Sequence, residues 1–464
     1  MKKLTLILTT LLLAAGFAYA QEENEQYNQY GVKVNTETLT AEAQDGILVL
    51  RSKGDSGYKI WFDNRVQVDG AAFFGEPEWA DGISNDFSIR RARFAVKAQI
   101  DKDWYGEVDL DMANGMFELK DAIIRYTGLA NWQFQAGSFK EVFSLQRNNS
   151  SRYLQFIERP MVCSALAPSR HLGFNANYYN KGIFLNLGIM GQEIEGEETR
   201  SFVEESSKGA GPDNGLTYTL KAVYQPGWNK TDWGMHIGAA ASYRNPKTSD
   251  ETFGKMRYSA RNSTNINRKK YVDTGDFDFD HYVRYTAELA GYWKGFRGEA
   301  VYMGNTTAYI PDIKNAPTVT SPRNFWGWYV QGGYLLFGGQ QRYDNAGAKF
   351  TRVKRGQKWG DVELCGRIEL LNLNADAKLN PNDQKIMGGK CMAYALGLNY
   401  YINDHVKVQL NYQYNDNDRF SAGKGNKFYV GLDDTGKPTK TPYKTVGKAG
   451  VDYHMVAMRF EIDF

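Results

Sequence analysis

The chain has 464 residues and carries 56 Lys and Arg against 53 Asp and Glu, a formal net charge of +3. This near balance gives the chain no strong overall preference for nucleic acid or for acidic surfaces. The mean hydropathy is −0.54, yet 14% of the residues are aromatic and 47 are glycine. Transmembrane barrels produce this combination, because only alternate residues of each strand face lipid.

The N-terminus predicts a secretory signal peptide over residues 1–20. Lys2 and Lys3 precede an apolar run at 4–17, and an Ala-Tyr-Ala cleavage site follows at 18–20. The apolar run is short for a transmembrane anchor, and no basic flank follows it. Cleavage there removes both lysines and lowers the net charge from +3 to +1.

Residues 21–56 are polar and are interpreted as a periplasmic lead, in which the pattern allows a short strand at 46–51. Residues 57–464 alternate apolar and polar side chains with a period of two, and they offer no helical stretch. We therefore predict an all-β fold, a transmembrane antiparallel barrel of about sixteen strands. The strands are expected to begin near residues 57, 86, 103, 117, 131, 171, 182, 215, 232, 280, 296, 324, 359, 388, 405 and 452.

The lengths of the connections favour an outer-membrane barrel over a soluble sandwich. Links after even-numbered strands are brief, as at 101–103, and links after odd-numbered strands are often long, as at 141–170. The exceptions are 339–358, which is long, and 113–115, which is short. Outer-membrane barrels have short periplasmic turns and long outer loops. A sandwich gives no reason for links to sort by parity.

The ends of the strands support the same location. Aromatic residues gather at the short-turn ends, as in an interfacial girdle. The chain finishes on an alternating strand whose last residue is Phe464, an ending similar to the signal that outer-membrane barrels present to their assembly machinery. Together with the signal peptide, these features predict the outer membrane of a Gram-negative bacterium, with lipid and lipopolysaccharide around the barrel.

Five stretches form an ordered set along the chain. They are Arg90-Arg91-Ala92-Arg93, Glu118-Leu119-Lys120-Asp121-Ala122, Gly137-Ser138-Phe139-Lys140 leading to Phe156-Ile157-Glu158-Arg159, the strand with Trp359, Glu363 and Arg367, and the C-terminal Phe464. This set resembles the phosphate-selective porin O and P family across nearly the whole mature chain. Its most specific part is the pair GxFK and FxER.

The resemblance implies a homotrimer of sixteen-stranded barrels, each with a third outer loop folded inward as an anion-binding constriction. The residues carried over by motif are Arg90, Arg91, Arg93, Asp121, Lys140 and Arg159. The family's usual Gly-Arg near the first strand is Asn64-Arg65 in this chain.

The loop after the fifth predicted strand is the third outer loop by parity, so the parity rule and the resemblance meet there. Its charged residues between 137 and 161 are Lys140, Arg147, Arg152 and Arg159 on the basic side and Glu141 and Glu158 on the acidic side. Arginine suits an anion site because its planar fork stays charged and donates two parallel hydrogen bonds. A series of weak sites lets an anion pass where one tight site traps it.

The strands themselves predict a lumen with about a dozen charges of each sign. Its predicted basic residues outside the constriction include Arg65, Lys97, Arg125, Arg284, Arg297 and Arg367. Because basic strand two adjoins acidic strand three, charges are expected to pair across strands. Any anion preference is therefore expected to come from the constriction, chiefly from Lys140, Arg147, Arg152 and Arg159.

The predicted function is passive diffusion of phosphate or other small anions, and a general non-selective porin is the first alternative. A surface adhesin or scaffold barrel, presenting the loops at 192–214, 245–279 and 417–451, stays open as a different class. A barrel-embedded hydrolase using Ser242 and His236 is the third. The five histidines and three cysteines form no metal spacing. We predict no enzyme activity, metal, cofactor, structural disulfide or nucleic-acid partner.

Overall fold

The computed structural model describes residue 29 and residues 37–44, 46–77, 82–191, 213–247, 254–307, 322–375, 386–417, 431–432, 438–439 and 451–464. The predicted signal peptide lies outside the described residues, as do most of the outer loops at 192–214 and 417–451. No helix in the described ranges is long and apolar enough to cross a membrane.

Sixteen antiparallel strands of the described chain close into a barrel. They are β1 (Lys59–Phe74), β2 (Asp86–Gln99), β3 (Trp104–Asp111), β4 (Glu118–Tyr126), β5 (Trp132–Lys140), β6 (Arg170–Asn180), β7 (Ile183–Met190), β8 (Asp213–Tyr224), β9 (Trp233–Lys247), β10 (Tyr282–Trp293), β11 (Phe296–Thr307), β12 (Arg323–Leu335), β13 (Asp361–Ala375), β14 (Ile386–Tyr401), β15 (Val406–Asn417) and β16 (Tyr453–Asp463). Each strand pairs with its sequence neighbours, and β16 pairs with β1 to close the wall. Every predicted start lies within two residues of the observed one, so the predicted all-β barrel is confirmed.

The described chain also contains shorter elements that are not among the sixteen strands of the barrel wall. A hairpin of Leu39–Gln44 and Ile47–Ser52 extends the start of β1. Small antiparallel pairs join Gly254–Met256 to Phe277–Phe279, Ser259–Ala260 to Val272–Asp273, Tyr343–Asp344 to Lys349–Phe350, and Gly431–Leu432 to Pro438–Thr439. Single helical turns occur at Ala113–Gly115, Leu145–Asn148, Ser151–Tyr153 and Met161–Ala165. The sequence did not predict these turns, because pieces this short produce no measurable helical periodicity.

Side chains alternate across the wall, with apolar groups outside and polar groups inside. On β2, Phe94 is 38% exposed whereas Arg91 is 4% exposed. This is the reverse of a soluble protein, because the outer face of an outer-membrane barrel meets lipid. At the short-turn end, the ring centroids of Trp104 and Tyr126 lie 4.8 Å apart, as an interfacial girdle requires.

Two β-bulges re-aim charged side chains toward the interior. On β2 the pairing with β1 skips Arg90, and on β4 the pairing with β3 skips Lys120. A bulge inserts one extra residue and breaks the strict alternation of faces. Arg90 and Arg91 therefore both face the interior, as do Lys120 and Asp121.

Three connecting segments contact side chains that point into the barrel: the β5–β6 segment (141–169), the β9–β10 segment (254–281) and the β12–β13 segment (336–360). Hydrogen bonds of the β5–β6 segment reach β8, β10, β11, β13, β14, β15 and β16. The β12–β13 segment meets it directly, since the backbone N–H of Phe350 donates to Asn149 Oδ1 at 2.9 Å.

The β9–β10 segment contains the described part of the loop at 245–279, which the adhesin alternative treats as a presented surface. Its Tyr258 and Val272 are buried together with Phe325 of β12 and Leu371 of β13. Apolar side chains buried in this way leave water because their removal from it is favourable. The described part of this connection is therefore packed against the barrel wall.

Candidate functional site

A cavity of about 810 Å³ runs beside strands β1 to β7, with parts of all three connecting segments opposite. Its lining is rich in cations. Fifteen basic residues line it: Arg65, Arg90, Arg91, Arg93, Lys97, Lys120, Arg125, Lys140, Arg147, Arg152, Arg159, Arg170, Arg261, Arg268 and Lys349. Eight acidic residues line it: Asp63, Glu107, Asp109, Asp111, Glu118, Asp121, Glu158 and Asp344. The cavity wall is thus strongly basic although the chain as a whole is nearly neutral.

All eight residues predicted for the constriction line this one cavity: Arg90, Arg91, Arg93, Asp121, Lys140, Arg147, Arg152 and Arg159. Of the six further basic residues predicted to face the lumen, Arg65, Lys97 and Arg125 also line it. The structure therefore brings together sites that lie far apart in the sequence.

The other three predicted basic residues face the interior away from the cavity. Arg367 pairs with Glu369 at 3.1 Å, and Arg297 pairs with Glu299. The guanidinium of Arg284 lies over the Tyr282 ring, 4.5 Å from its centroid. These three cations are covered by other parts of the chain, and the cavity lining does not include them.

Ion pairs between β2 and β3 follow the predicted cross-strand pattern. Arg93 bonds to Asp109 at 3.1 Å and to Asp111 at 3.2 Å, and Lys97 lies 3.5 Å from Glu107. Side chains directly opposite each other on antiparallel strands are close enough for such pairing. These charges largely balance each other.

Asp121 has a partner that the sequence did not suggest. Its two carboxylate oxygens accept from Nε and Nη2 of Arg170 at 3.0 and 2.8 Å, the fork geometry of a bidentate pair. The carboxylates of Glu107, Asp109 and Asp121 lie within 4.8 Å of one another. Neighbouring cations of the chain balance all three charges.

Two charged residues of the β5–β6 segment are also compensated. Arg152 pairs with Asp63 of β1 and, through Nε, with Asp463 of β16 at 2.8 Å. Glu158 accepts from Nε of Arg90 at 2.5 Å. Arg152 therefore fastens the segment to the strands where the barrel closes.

Glu158 is held as an anion among guanidinium groups. Burial acts to raise the pKa of its carboxyl, but Arg90, Arg91 and Arg459 outweigh burial and hold that pKa well below its usual range. A nearby cation favours the charged form of a carboxyl group. Glu158 therefore stays ionised across the physiological pH range.

Lys140 and Arg159 form a pair of cations without such compensation. Lys140 Nζ donates to the carbonyl oxygen of Asn149 at 3.3 Å, and Arg159 Nη2 donates to the same oxygen at 2.8 Å. Arg159 Nε donates to the Gln146 carbonyl at 2.6 Å. Neither cation forms an ion pair with a carboxylate of the described chain. Asp121 and Glu158 interact electrostatically with Lys140 and Arg159, respectively, but neither carboxylate bonds to these cations, which leaves both able to attract a third group.

The barrel wall adds cations of the same kind to those of the β5–β6 segment, from which most of the anion preference was expected. Arg91 donates to the side-chain oxygen of Gln67 at 2.6 Å, and Arg125 donates to the side-chain oxygen of Gln135 at 3.0 and 3.1 Å. Arg65 donates to Ser151 Oγ at 2.9 Å. A neutral acceptor satisfies hydrogen bonds without cancelling charge.

Some residues that line the cavity were not predicted from the sequence. Arg170 lies opposite Lys140 in the register of β5 and β6. Its position at the start of a strand was the feature of the sequence that could have identified it. Arg261 and Arg268 belong to the β9–β10 segment and Lys349 to the β12–β13 segment. Neither segment carries a periodic pattern that predicts where its side chains point.

The hydrolase pair considered from the sequence does not form. Ser242 and His236 lie on one strand, six residues and so about 20 Å apart along it. His236 instead lies 2.6 Å from the Tyr343 hydroxyl and 3.0 Å from Glu288. Nucleophilic catalysis needs the hydroxyl within hydrogen-bond reach of its base.

Comparison with known proteins identifies relatives across most of the chain. The family model described as phosphate-selective porin O and P matches residues 63–427. Porin O of Pseudomonas aeruginosa is 22% identical over 428 residues, which cover 84% of this chain and 91% of that protein. An uncharacterized protein of Caulobacter vibrioides is 25% identical over 367 residues, 78% of this chain and 69% of its own length.

A solved structure shows the same fold. The anion-selective porin from Comamonas acidovorans aligns with a TM-score of 0.50 and 10% identity, covering 88% of this chain and 100% of that chain. At this identity the likeness concerns the fold alone. The family match extends from β1 into the region beyond β15 and includes both the GxFK and FxER motifs. The protein is an outer-membrane porin, and the chain belongs to the phosphate-selective porin O and P family.

Proposed function

We propose that this porin preferentially passes small anions, phosphate among them, and that the Lys140–Arg159 pair is the narrow anion-binding point of its pore. The observation that carries the proposal is the absence of an ion-paired carboxylate from both cations in the described chain. An anion that enters the cavity supplies the counter-charge for these two cations, which form no ion pair with a carboxylate of the described chain. Both present N–H donors, which replace the water lost by a phosphate or a halide.

The rest of the cavity supplies weaker positions on either side. Arg65, Arg91 and Arg125 donate to neutral side chains, and Arg261 donates to Asn265 at 2.9 Å. Conduction requires sites that attract an ion without trapping it, and several moderate sites achieve this better than one strong site. The excess of cavity cations over anions gives the direction of selectivity.

We also propose that the β5–β6 segment lies inside the lumen and narrows it. The support is its set of hydrogen bonds to inward-facing side chains on seven barrel strands. Phe143, Leu145, Leu154 and Phe156 of the segment are each at most 2% exposed. A loop resting on the outer rim does not reach inward-facing partners on so many strands.

The proposed assembly is a homotrimer with three separate pores, surrounded by outer-membrane lipid and lipopolysaccharide. This part of the proposal rests on the family resemblance. Native mass spectrometry of the detergent-solubilised protein tests it directly. A stable monomer under conditions that preserve the folded barrel contradicts it.

Planar-bilayer recording tests the function. The reversal potential is measured across gradients of potassium chloride and of potassium phosphate, and the expected sign is that of an anion-preferring pore. Phosphate added to a chloride solution is expected to reduce the chloride current by competing for the Lys140–Arg159 pair. A cation-preferring pore overturns the assignment, and a protein without channels overturns diffusion altogether.

A further inference from the structure

We propose that the β5–β6 segment also sorts charge: it covers four carboxylates of the opposite wall and so removes them from the pore. The four are Glu288 of β10, Glu299 of β11, and Glu363 and Glu369 of β13. Each accepts a hydrogen bond from the segment, and none lines the cavity. The inference rests on the proposed anion pore and names one contribution to its charge.

The first two carboxylates hold the start of the segment. Glu288 Oε1 accepts from the backbone N–H of Leu145 at 2.6 Å, and its other oxygen pairs with Lys221 at 2.6 Å. Glu299 Oε2 accepts from the amide of Gln146 at 2.6 Å. The side chains of both glutamates are completely buried.

The other two carboxylates hold its middle and its end. Glu363 accepts from the Gln155 amide at 2.7 Å, and Glu369 accepts from the backbone N–H of Met161. Glu363 has no Lys or Arg ion-pair partner among the described residues. Its remaining bonds come from Gln341, Asn399 and Tyr401 at 2.9, 3.0 and 2.7 Å.

Three of the four carboxylates are covered together with the cations that pair with them, whereas Glu363 is covered without one. Covering this wall therefore removes a small excess of negative charge from the pore, and the segment lies between that charge and the cavity. The segment prevents direct contact between these carboxylates and an ion in the pore, and Glu288, Glu299 and Glu369 are also neutralised by ion pairs with Lys221, Arg297 and Arg367. The same hydrogen bonds seat the segment, so Glu288, Glu299, Glu363 and Glu369 are positioning residues rather than ion-binding ones.

A double comparison tests this role. In one background the barrel is intact, and in the other residues 144–166 are replaced by a short Gly-Ser turn joining β5 to β6. Glu363→Gln is introduced into both backgrounds. Glu363 has no ion-paired Lys or Arg among the described residues, so this change leaves no cation uncompensated. Glu118→Gln is the cavity-facing comparison, since Glu118 lines the cavity and its side chain is 39% exposed. Glu118 pairs with Lys120 at 2.7 Å, so this change also releases a cation into the cavity, while both changes remove one negative charge.

The expected results differ between backgrounds. In the intact pore Glu118→Gln raises the anion-to-cation permeability ratio and Glu363→Gln does not. In the pore without the segment both changes raise the ratio, each by about twofold. Equal effects of the two changes in the intact pore overturn the inference, and so does the absence of an effect of Glu363→Gln once the segment is gone. An intact pore without anion preference contradicts the proposed function, but the effects of Glu118→Gln and Glu363→Gln can still be compared in the two backgrounds.

A second measurement needs no deletion and keeps the test decisive if that variant does not fold. The intact barrel is treated with a water-soluble carbodiimide and an amine, and modified glutamates are located by mass spectrometry. Glu118 is expected to react, whereas Glu288, Glu299, Glu363 and Glu369 stay protected. Modification of these four at the rate of Glu118 overturns the inference.

Discussion

Lys140 and Arg159 donate to one backbone oxygen, the carbonyl of Asn149, at 3.3 and 2.8 Å. Lys140 ends β5 and Arg159 lies beyond the middle of the β5–β6 segment, so the segment turns back to bring both cations to a single point. Two cations that share one hydrogen-bond acceptor repel each other, and an anion bound between them offsets that repulsion. This arrangement fits the proposed binding site for a permeating anion.

Reversing the charge at Lys140 is expected to abolish most of the anion preference. Lys140→Glu places a carboxylate beside Arg159, so the pair that attracted anions becomes an internal ion pair. The anion-to-cation permeability ratio, obtained from reversal potentials in a potassium chloride gradient, is expected to fall by about threefold to tenfold. Lys354→Glu is the control, because Lys354 is exposed and does not line the cavity. Equal effects of both substitutions contradict the assignment.

Asp121→Asn is expected to strengthen the anion preference. The substitution releases Arg170 from its bidentate pair and leaves an uncompensated guanidinium in the cavity wall. Arg170→Gln is the reciprocal variant and is expected to weaken the preference, because it leaves the Asp121 carboxylate unpaired. Reversal potentials of the two variants therefore move in opposite directions from that of the wild type. A loss of anion preference in Asp121→Asn contradicts this expectation and indicates that the carboxylate holds Arg170 in the position where it attracts anions.

Leu145→Ala is expected to loosen the β5–β6 segment. Leu145 is fully buried against Ala290 of β10 and Phe350 of the β12–β13 segment, and truncating a buried leucine costs about 2–5 kcal/mol. We expect a lower denaturant midpoint in detergent and a noisier single-channel current, because the segment moves within the pore. Leu185→Ala, at a position 40% exposed on the outer face of β7, is expected to leave the current noise unchanged. A current noise in Leu145→Ala equal to that of the wild type shows that this contact does not hold the segment in place.

Phe464→Ala is expected to impair assembly while leaving the finished barrel stable. The ring of Phe464 is 50% exposed, and its backbone, rather than its side chain, pairs with Asn64 of β1 at 2.8 and 3.2 Å. Less folded protein should reach the outer membrane, as measured by heat-modifiable migration on gels. Refolding from denaturant into detergent is expected to proceed as in the wild type. Phe460→Ala, also outward-facing on β16, is the control, and an equal assembly defect there shows that the terminal position is not special.

The sequence by itself determined the barrel. Alternation with a period of two depends on the pleat of a single strand, and the sorting of long and short links depends only on chain order. Both are local properties, and for that reason the sixteen strand starts were predicted closely. Arg91, Lys140 and Arg159 lie on strands or within a motif, and for that reason the sequence could name them as candidate cations of the pore.

Only the tertiary structure decided which of these charges remain available to an ion. Arg152 looked equivalent to Arg159 in the sequence, yet it is paired with Asp63 and Asp463 from strands at opposite ends of the chain. The covering of Glu363 by Gln155 joins residues more than two hundred positions apart. Compensation of a charge depends on distances of a few ångströms between such partners, and no local pattern in the chain encodes those distances.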